Sequence, residues 1–378
     1  MDIEQKYIFV AMPIYMDVHI VPGVKAKDVA DAHRKDLLHQ DAHACKCMTY
    51  WIDEERENIF CLIDAPNKEA VVEMHNNAHG MVPNRVVEVS SNIVESFLGR
   101  IYDPENAELL DDGLKVFHDP SYRILVMVAY EDPILLKHKL GNDKAVTLLL
   151  KQQQVIRKHL INHGGREAEH EHTDFILSFT SAAKALDYAI AILNEFNQAG
   201  LRETGYRIAL HGGEPLEYSN LLFGDTILFA QQLCFISGEH KIAISGSVKC
   251  LVEKDHKLKG LQYQGFSPQD ETLLRGLFDN LEKYWQDANL DIDLFSREMA
   301  MSKSKLYRKI ISLTGLSPNI LIKDYRLMKA KALMKKQHYN IAQVTFDSGF
   351  TSPSYFTKCF KQKFGLLPMA YLELLGQS

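Results

Sequence analysis

Residues 341–372 read IAQVTFDSGFTSPSYFTKCFKQKFGLLPMAYL, and this stretch predicts two short helices joined by a tight turn. Ile341, Val344, Thr345 and Phe346 open the first as a short amphipathic helix, and Gly349 supplies the positive φ that a tight turn demands. Ser352 stands where a cap belongs, with Pro353 in the first turn of the second helix, a position where proline is tolerated. Along that helix Tyr355, Phe356, Cys359, Phe360 and Phe364 form an apolar side, and Ser354, Thr357, Lys358 and Lys361 form the other. One packed face and one basic, hydroxyl-bearing face make a helix-turn-helix. The free face of such a helix fits a major groove, where short polar side chains reach base edges and lysines meet phosphates.

A second motif of the same kind precedes it. Residues 294–299 (LFSREM) read as a short helix, 300–302 as a turn, and 303–314 (KSKLYRKIISLT) as a second helix ending at Gly315. Ser317 and Pro318 then open a long helix through Ile320, Leu321, Tyr325, Leu327, Ala330, Leu333 and Met334. The ordered pattern GF...SYF...FK..FG..P..Y, with SP and YRLMKAKALM upstream, resembles the AraC/XylS family of transcription regulators, whose DNA-binding unit joins two such motifs by a linker helix. The resemblance implies double-stranded DNA as partner. It places Lys303, Ser304, Tyr307 and Arg308 on one recognition helix and Ser352, Ser354, Tyr355, Thr357, Lys358 and Lys361 on the other. A helical bundle that docks on another protein is the competing reading of the same pattern.

Charge divides the chain in the same place. Residues 272–378 hold sixteen Lys and Arg against nine Asp and Glu, a balance of +7, whereas the whole chain is −6, leaving −13 on residues 1–271. A basic end on an acidic body fits phosphate contact by that end alone. The 378 residues predict two to four domains, and an apolar fraction of 46% is ordinary for globular chains. No run of about 18 apolar residues predicts a membrane span, and the N-terminal apolar run is too interrupted for a secretory signal. The six cysteines (Cys45, Cys47, Cys61, Cys234, Cys250 and Cys359) lack a disulfide rhythm and predict reduced thiols in a cytoplasmic protein.

Residues 13–20, 47–52, 58–63 and 85–89 read as strands, with helices at 27–43 and 68–79. The βαββαβ order predicts a ferredoxin-like sandwich over residues 1–102. Asp17 and His19 share a strand face by period two, and His75 and His79 are neighbours one helical turn apart. His33 sits in the apolar stripe of the first helix. Five such donors can build an imidazole–carboxylate site for Ni, Zn or Cu; hydrogen-bonded structural histidines are the other reading. The block FCL.DAP...AV..MH..AHG, within YMDVHIVPGV through AHG, resembles a family of small, dimeric, nickel-binding ferredoxin-like proteins. That resemblance implies nickel, or another divalent transition metal, as effector and a homodimer as the assembly.

Residues 120–268 read as a second α+β unit, with strands at 122–130 and 241–245 and helices at 143–162 and 181–197. The ordered blocks HGGR, ILSF, RIALHGGE, FGDTILFAQQL and IAISGSV resemble the class III nucleotide cyclase homology domain. Catalysis in that family requires two metal-binding aspartates, an asparagine and an arginine. Here Ala129 and Tyr130 stand at the end of the first strand, His172, Thr173 and Asp174 replace the expected turn, and Leu228 and Gln232 occupy the helix. Shifted carboxylates at Glu131, Asp132 and Asp174 are the remaining candidates for a metal, and Asp225 reads as structural. The expectation is a multidomain chain without enzymatic activity: two α+β ferredoxin-like domains followed by an all-α double helix-turn-helix over residues 272–378. A nucleotide cyclase, or a metal store with a docking module, are the readings from other classes.

Overall fold

The computed structural model describes residues 12–168, 174–253, 263–336 and 340–376. It opens with β1 (Ile14–Ile20), α1 (Ala26–His39), β2 (Lys46–Asp53), β3 (Asn58–Asp64), α2 (Lys68–Ala78) and β4 (Arg85–Val89). The four strands form one antiparallel sheet in the order β2-β3-β1-β4. Strand alternation sorts the side chains. Tyr15, Ile59, Cys61 and Ile63 share a core with Val29 and Ala30 of α1 and Val71 and Met74 of α2. Asp17 and His19 lie on that same face by period two, so the donors are sealed between sheet and helices.

The opposite face, with Met16, Val18, Trp51, Phe60 and Leu62, is also covered. It belongs to an apolar cluster that takes in Phe97 of α3 (Ser91–Leu98) and runs into the rest of the chain. A short hairpin, β5 (Glu108–Leu109) with β6 (Lys115–Val116), follows, and Val116 and Phe117 bury themselves with the first core.

The middle of the chain contains β7 (Arg123–Ala129), α4 (Pro133–Leu140), α5 (Asn142–His163), β8 (Arg166–Glu167), β9 (Phe175–Phe179), α6 (Ala182–Gln198), β10 (Arg207–Gly213), α7 (Gly224–Ile236), β11 (Ile242–Ile244), α8 (Gly246–Glu253) and β12 (Tyr263–Gly265). Its sheet runs β12-β11-β10-β7-β9-β8. The segment β10-β7-β9-β8 repeats the strand order of the first sheet, and β11 and β12 extend it in parallel. Helices α5, α6 and α8 cover one face through Val155, Ile156, Ile192 and Val248. The predicted turn at His172 and Thr173 lies outside the described residues.

Among the described residues seven helices follow: α9 (Pro268–Tyr284), α10 (Ile292–Glu298), α11 (Lys303–Thr314), α12 (Pro318–Lys335), α13 (Ile341–Asp347), α14 (Pro353–Phe364) and α15 (Pro368–Gly376). A mixed α/β N-terminal region thus precedes a helical C-terminal one. Ser267 and Asp270 form a capping box that starts α9, so residue 272, the expected start of the last domain, falls inside a helix. The long helix α12 serves two cores: Leu321, Ile322 and Tyr325 pack in the cluster of α9–α11, and Leu327, Ala330 and Met334 in that of α13–α15. No helix among the described residues is long and apolar enough to cross a membrane. All six cysteines are free thiols.

Candidate nucleic-acid interface and metal centre

Helix α11 buries Leu306, Ile310 and Leu313, and this spacing leaves Lys303, Ser304, Tyr307 and Arg308 exposed on the other side. Arg308 donates from Nε to the Ser304 carbonyl at 3.3 Å, one turn back along the exposed side. Lys303 pairs with Asp293 at 2.6 Å, which ties its ammonium to α10. In α14, Phe356, Cys359 and Phe360 are buried while Ser354, Tyr355, Lys358 and Lys361 are exposed and Thr357 is half-buried. Tyr355 is 54% exposed, so it leaves the apolar side on which the spacing had placed it. Ser352 is half-buried and accepts from the Tyr355 amide at 3.4 Å, acting as the cap. Lys363 turns away to Asp324 at 2.6 Å.

The turn between α13 and α14 explains its glycine. Gly349 has φ +75°, and a Cβ there would collide with the Trp285 carbonyl oxygen. Any other residue would pay in strain and in a displaced backbone.

Between the N-terminal sheet and α2, Asp17, His19, Cys61 and His75 bring one donor atom each to within 4.8 Å of one another, and all four residues are buried. His75 is the hub. Its Nε2 donates to Asp17 Oδ2 at 2.8 Å and its Nδ1 to Asp36 Oδ1 at 3.1 Å. His19 Nε2 lies 3.3 Å from Asp17 Oδ1, which also accepts from the Cys61 amide at 3.3 Å. A cavity of about 20 Å³ opens among His19, His33, Asp36, Cys61, His75 and His79.

His79 and His33 stand apart from that set. The Met81 amide donates to His79 Nδ1 at 3.1 Å, which places the ring proton on Nε2, 3.1 Å from Asp36 Oδ1. His79 with Asp36 and His75 forms a second cluster of donors on the far side of the hub. His33 faces Asp103 at 3.8 Å and the Tyr50 ring, and joins neither cluster. Sequence reasoning missed Asp36 and Cys61. Asp36 lies three residues beyond His33 on the same helix, and Cys61 stands opposite Asp17 in the β1–β3 register, which only the strand pairing supplies.

Burial opposes charge in this cluster, and partners overrule it. Burial would raise the Asp17 carboxyl, yet the imidazoles of His75 and His19 hold it well below the usual carboxylate range. Asp36 is lowered in the same way, against burial, by hydrogen bonds from His75 and His79. Burial would lower His75, but Asp17 and Asp36 push it up to about 10. Burial, with Asp17 and Asp36 beside it, raises the Cys61 thiol well above its ordinary value. Two imidazoles, a carboxylate and a thiol around a small cavity are a donor set that fits a borderline transition-metal dication.

Among the described residues, no such donor set includes the shifted carboxylates Glu131, Asp132 and Asp174 of the middle region. Asp132 caps α4 by accepting from the Ile134 amide at 3.0 Å and receives Lys331, Lys335 and Tyr371 at 3.2, 3.1 and 2.9 Å. Glu131 pairs with Lys139 at 3.4 Å. Asp225 accepts from the amides of Tyr218 and Ser219 at 2.8 and 2.7 Å and organises the loop before α7.

Two helix-turn-helix units threaded on one linker helix define an AraC-type DNA-binding domain at the C-terminal end. The comparisons agree: residues 295–373 match the family of helix-turn-helix domains, and residues 15–89 match the family described as nickel responsive protein SCO4226-like. Histidine kinase P4 of Formosa agariphila is 37% identical over 102 residues, 27% of this chain and 7% of that protein. The HTH-type transcriptional regulator MtrA of Neisseria gonorrhoeae is 30% identical over 125 residues, 33% of this chain and 40% of that one. This chain therefore spans less than half of either relative. The crystal structure of SCO4226 from Streptomyces coelicolor A3(2) is 30% identical, covering 20% of this chain and 94% of that one, with a TM-score of 0.20.

Proposed function

We propose that this chain is a one-component transcription regulator that binds double-stranded DNA through α11 and α14 and is gated by a divalent transition metal, nickel first, in its N-terminal unit. The observation that carries the reading is the pair of exposed faces, Lys303–Ser304–Tyr307–Arg308 and Ser354–Lys358–Lys361 with half-buried Thr357 beside them, on helices locked to one shared linker helix. A rigid linker sets two recognition helices in adjacent major-groove segments. We read residues 1–102 and 120–268 as ferredoxin-like units, from the common strand order of their sheets, and 272–378 as the DNA-binding unit. The chain works as a cytoplasmic homodimer, so that two DNA-binding units meet repeated half-sites and effective concentration multiplies affinity. We assign the middle unit no catalytic role, a reading supported by the structural contacts that engage Glu131, Asp132 and Asp225.

Asp17, His19 and His75, with Cys61, would hold the ion, whose charge would compensate for the protons that His75 and the Cys61 thiol must give up to solvent. Asp36 orients His75 from behind through Nδ1, as a carboxylate does for many metal-bound imidazoles. His79 supports Asp36, and His33 stays outside the first set of ligands. Gating requires that the ion favour one arrangement of the chain over another, and a coupling of about 1–3 kcal/mol is typical. The test titrates Ni²⁺ into the full chain and into His19→Ala and His79→Ala variants, with affinity for operator DNA read alongside. Uptake lost in His19→Ala and kept in His79→Ala is expected. Equal uptake by all three proteins overturns the site, and uptake without a change in DNA affinity overturns the gating.

A further inference from the structure

A second site lies where the two sheets meet. A cleft of about 230 Å³ is lined by Gly99, Arg100, Asp119, Arg123, Arg166, Ser178 and their neighbours. Three arginines line one small space, and a fourth cation stands near it: Lys184 Nζ is 3.9 Å from where a Cβ on Gly164, also in the lining, would be. Among the described residues Asp119 is the one carboxylate in the lining, and it is shared. Its Oδ2 accepts from Arg100 Nε at 2.8 Å and its Oδ1 lies 3.9 Å from Arg123 Nη2.

The three arginines are held differently. Arg123, 2% exposed, donates to the Phe97, Leu98 and Pro120 carbonyls, so the C-terminal end of α3 takes up part of its charge. Arg100 donates to the Tyr50 carbonyl and Thr49 hydroxyl and stacks on Trp51 at 4.5 Å. Arg166 lies flat across Gly99, where a Cβ would come within 2.6 Å of its Nε. Among the described residues no carboxylate pairs with Arg166 or Lys184. Ser178 Oγ, 2% exposed, gives its proton to the Phe97 carbonyl at 2.8 Å and so fixes the polar floor of the cleft.

Among the described residues the balance is lopsided: four cations stand in or near a partly desolvated space with one carboxylate, Asp119, which faces Arg100 and Arg123 only, and unmatched like charges repel strongly there. We propose that this cleft binds a small dianion bearing oxyanion groups, gripped by Arg166 and Lys184 at the mouth and by the electrostatic field of Arg100 and Arg123 behind. Planar guanidinium forks match carboxylate and phosphate oxygens two at a time, and the volume admits a compact anion. The ligand would bridge α3 and β4's sheet to β8 and β9, touching both α/β units at once.

The test is calorimetric titration of the full chain with inorganic phosphate and, separately, malonate, in chloride buffers of matched ionic strength. The expected result is saturable binding of at least one of them, about tenfold or more weaker in Arg166→Gln and in Lys184→Gln. The anion that binds tighter tells a phosphate site from a dicarboxylate site. Both substitutions fall on exposed side chains, and far-UV circular dichroism verifies that each variant is folded. The proposal is overturned if neither anion saturates the wild type, or if either folded variant binds as tightly as wild type. Metal uptake and DNA binding do not enter the readout.

Discussion

His75 sits between Asp17 and Asp36, 1% exposed, and its double hydrogen bond is what allows two carboxylates to stay ionised inside a small core. Removing the imidazole leaves buried charge without a partner. His75→Ala is expected to lower the stability of the metal-free protein by about 3–5 kcal/mol, measured by urea unfolding in chelator. His211 presents the opposite case. It is buried on β10, accepts from Arg275 Nη2 at 2.9 Å, and faces Ser247, Glu271 and the Phe229 ring, so burial and then the Arg275 charge lower it from 6.5 to about 3. Below pH 6.5 the unfolded chain takes up a proton that the folded chain refuses. His211 therefore contributes fully above pH 6.5, and stability falls by about 1.4 kcal/mol per pH unit as pH drops from 6.5 toward 3. His211→Gln, whose amide oxygen can accept from Arg275, should flatten that part of the stability–pH curve; an unchanged slope would show that other groups set it.

At the scale of elements, α11 and α14 owe their placement to α12, whose two halves anchor separate cores. The recognition faces are thus what remains exposed once Leu306, Ile310, Phe356 and Phe360 are buried. Arg308→Ala is expected to weaken operator binding by about 1–3 kcal/mol and to relax discrimination at one base pair. Lys361→Ala should weaken binding to all sequences alike and reduce the logarithmic salt slope by about 1. Affinity measured across a salt series separates these outcomes, and no effect from either substitution would remove α11 and α14 from the interface.

Across the whole molecule, Asp132 ties the DNA-binding unit to the middle one. Its buried carboxylate holds Lys331 and Lys335 of α12 and Tyr371 of α15, while Leu135 of α4 joins their core. These cations and the Tyr371 hydroxyl keep the carboxyl at about 2, despite burial. Asp132→Ala should cost about 1.5–3 kcal/mol and raise amide exchange in α15, read by hydrogen-exchange mass spectrometry. Arg275 of α9, on His211 and over the Phe229 ring at 4.2 Å, makes a second tie of this kind. Through such ties a change in the α/β body has a physical route to α12 and the helices packed on it.

Local pattern alone determined much of this. The helix-turn-helix pairs, the linker helix and the strands of the first sheet were legible because apolar periodicity, Gly349, Pro353 and Ser352 are short-range signals. Helices α3, α4, α8, α9 and α15 were not read, since their apolar positions answer to distant partners. Leu135, for one, packs on helices some 200 residues later in the chain. The candidate metal site divides in the same way. His19, His75 and Asp17 could be picked out by period, whereas Cys61 needed the β1–β3 register and Asp36 needed α1 laid against α2. Tyr355 left its expected apolar side, and Asp132 became a tie between units instead of a metal ligand. Periodicity records which face of an element is buried; which residues meet across that face is fixed only when the elements pack.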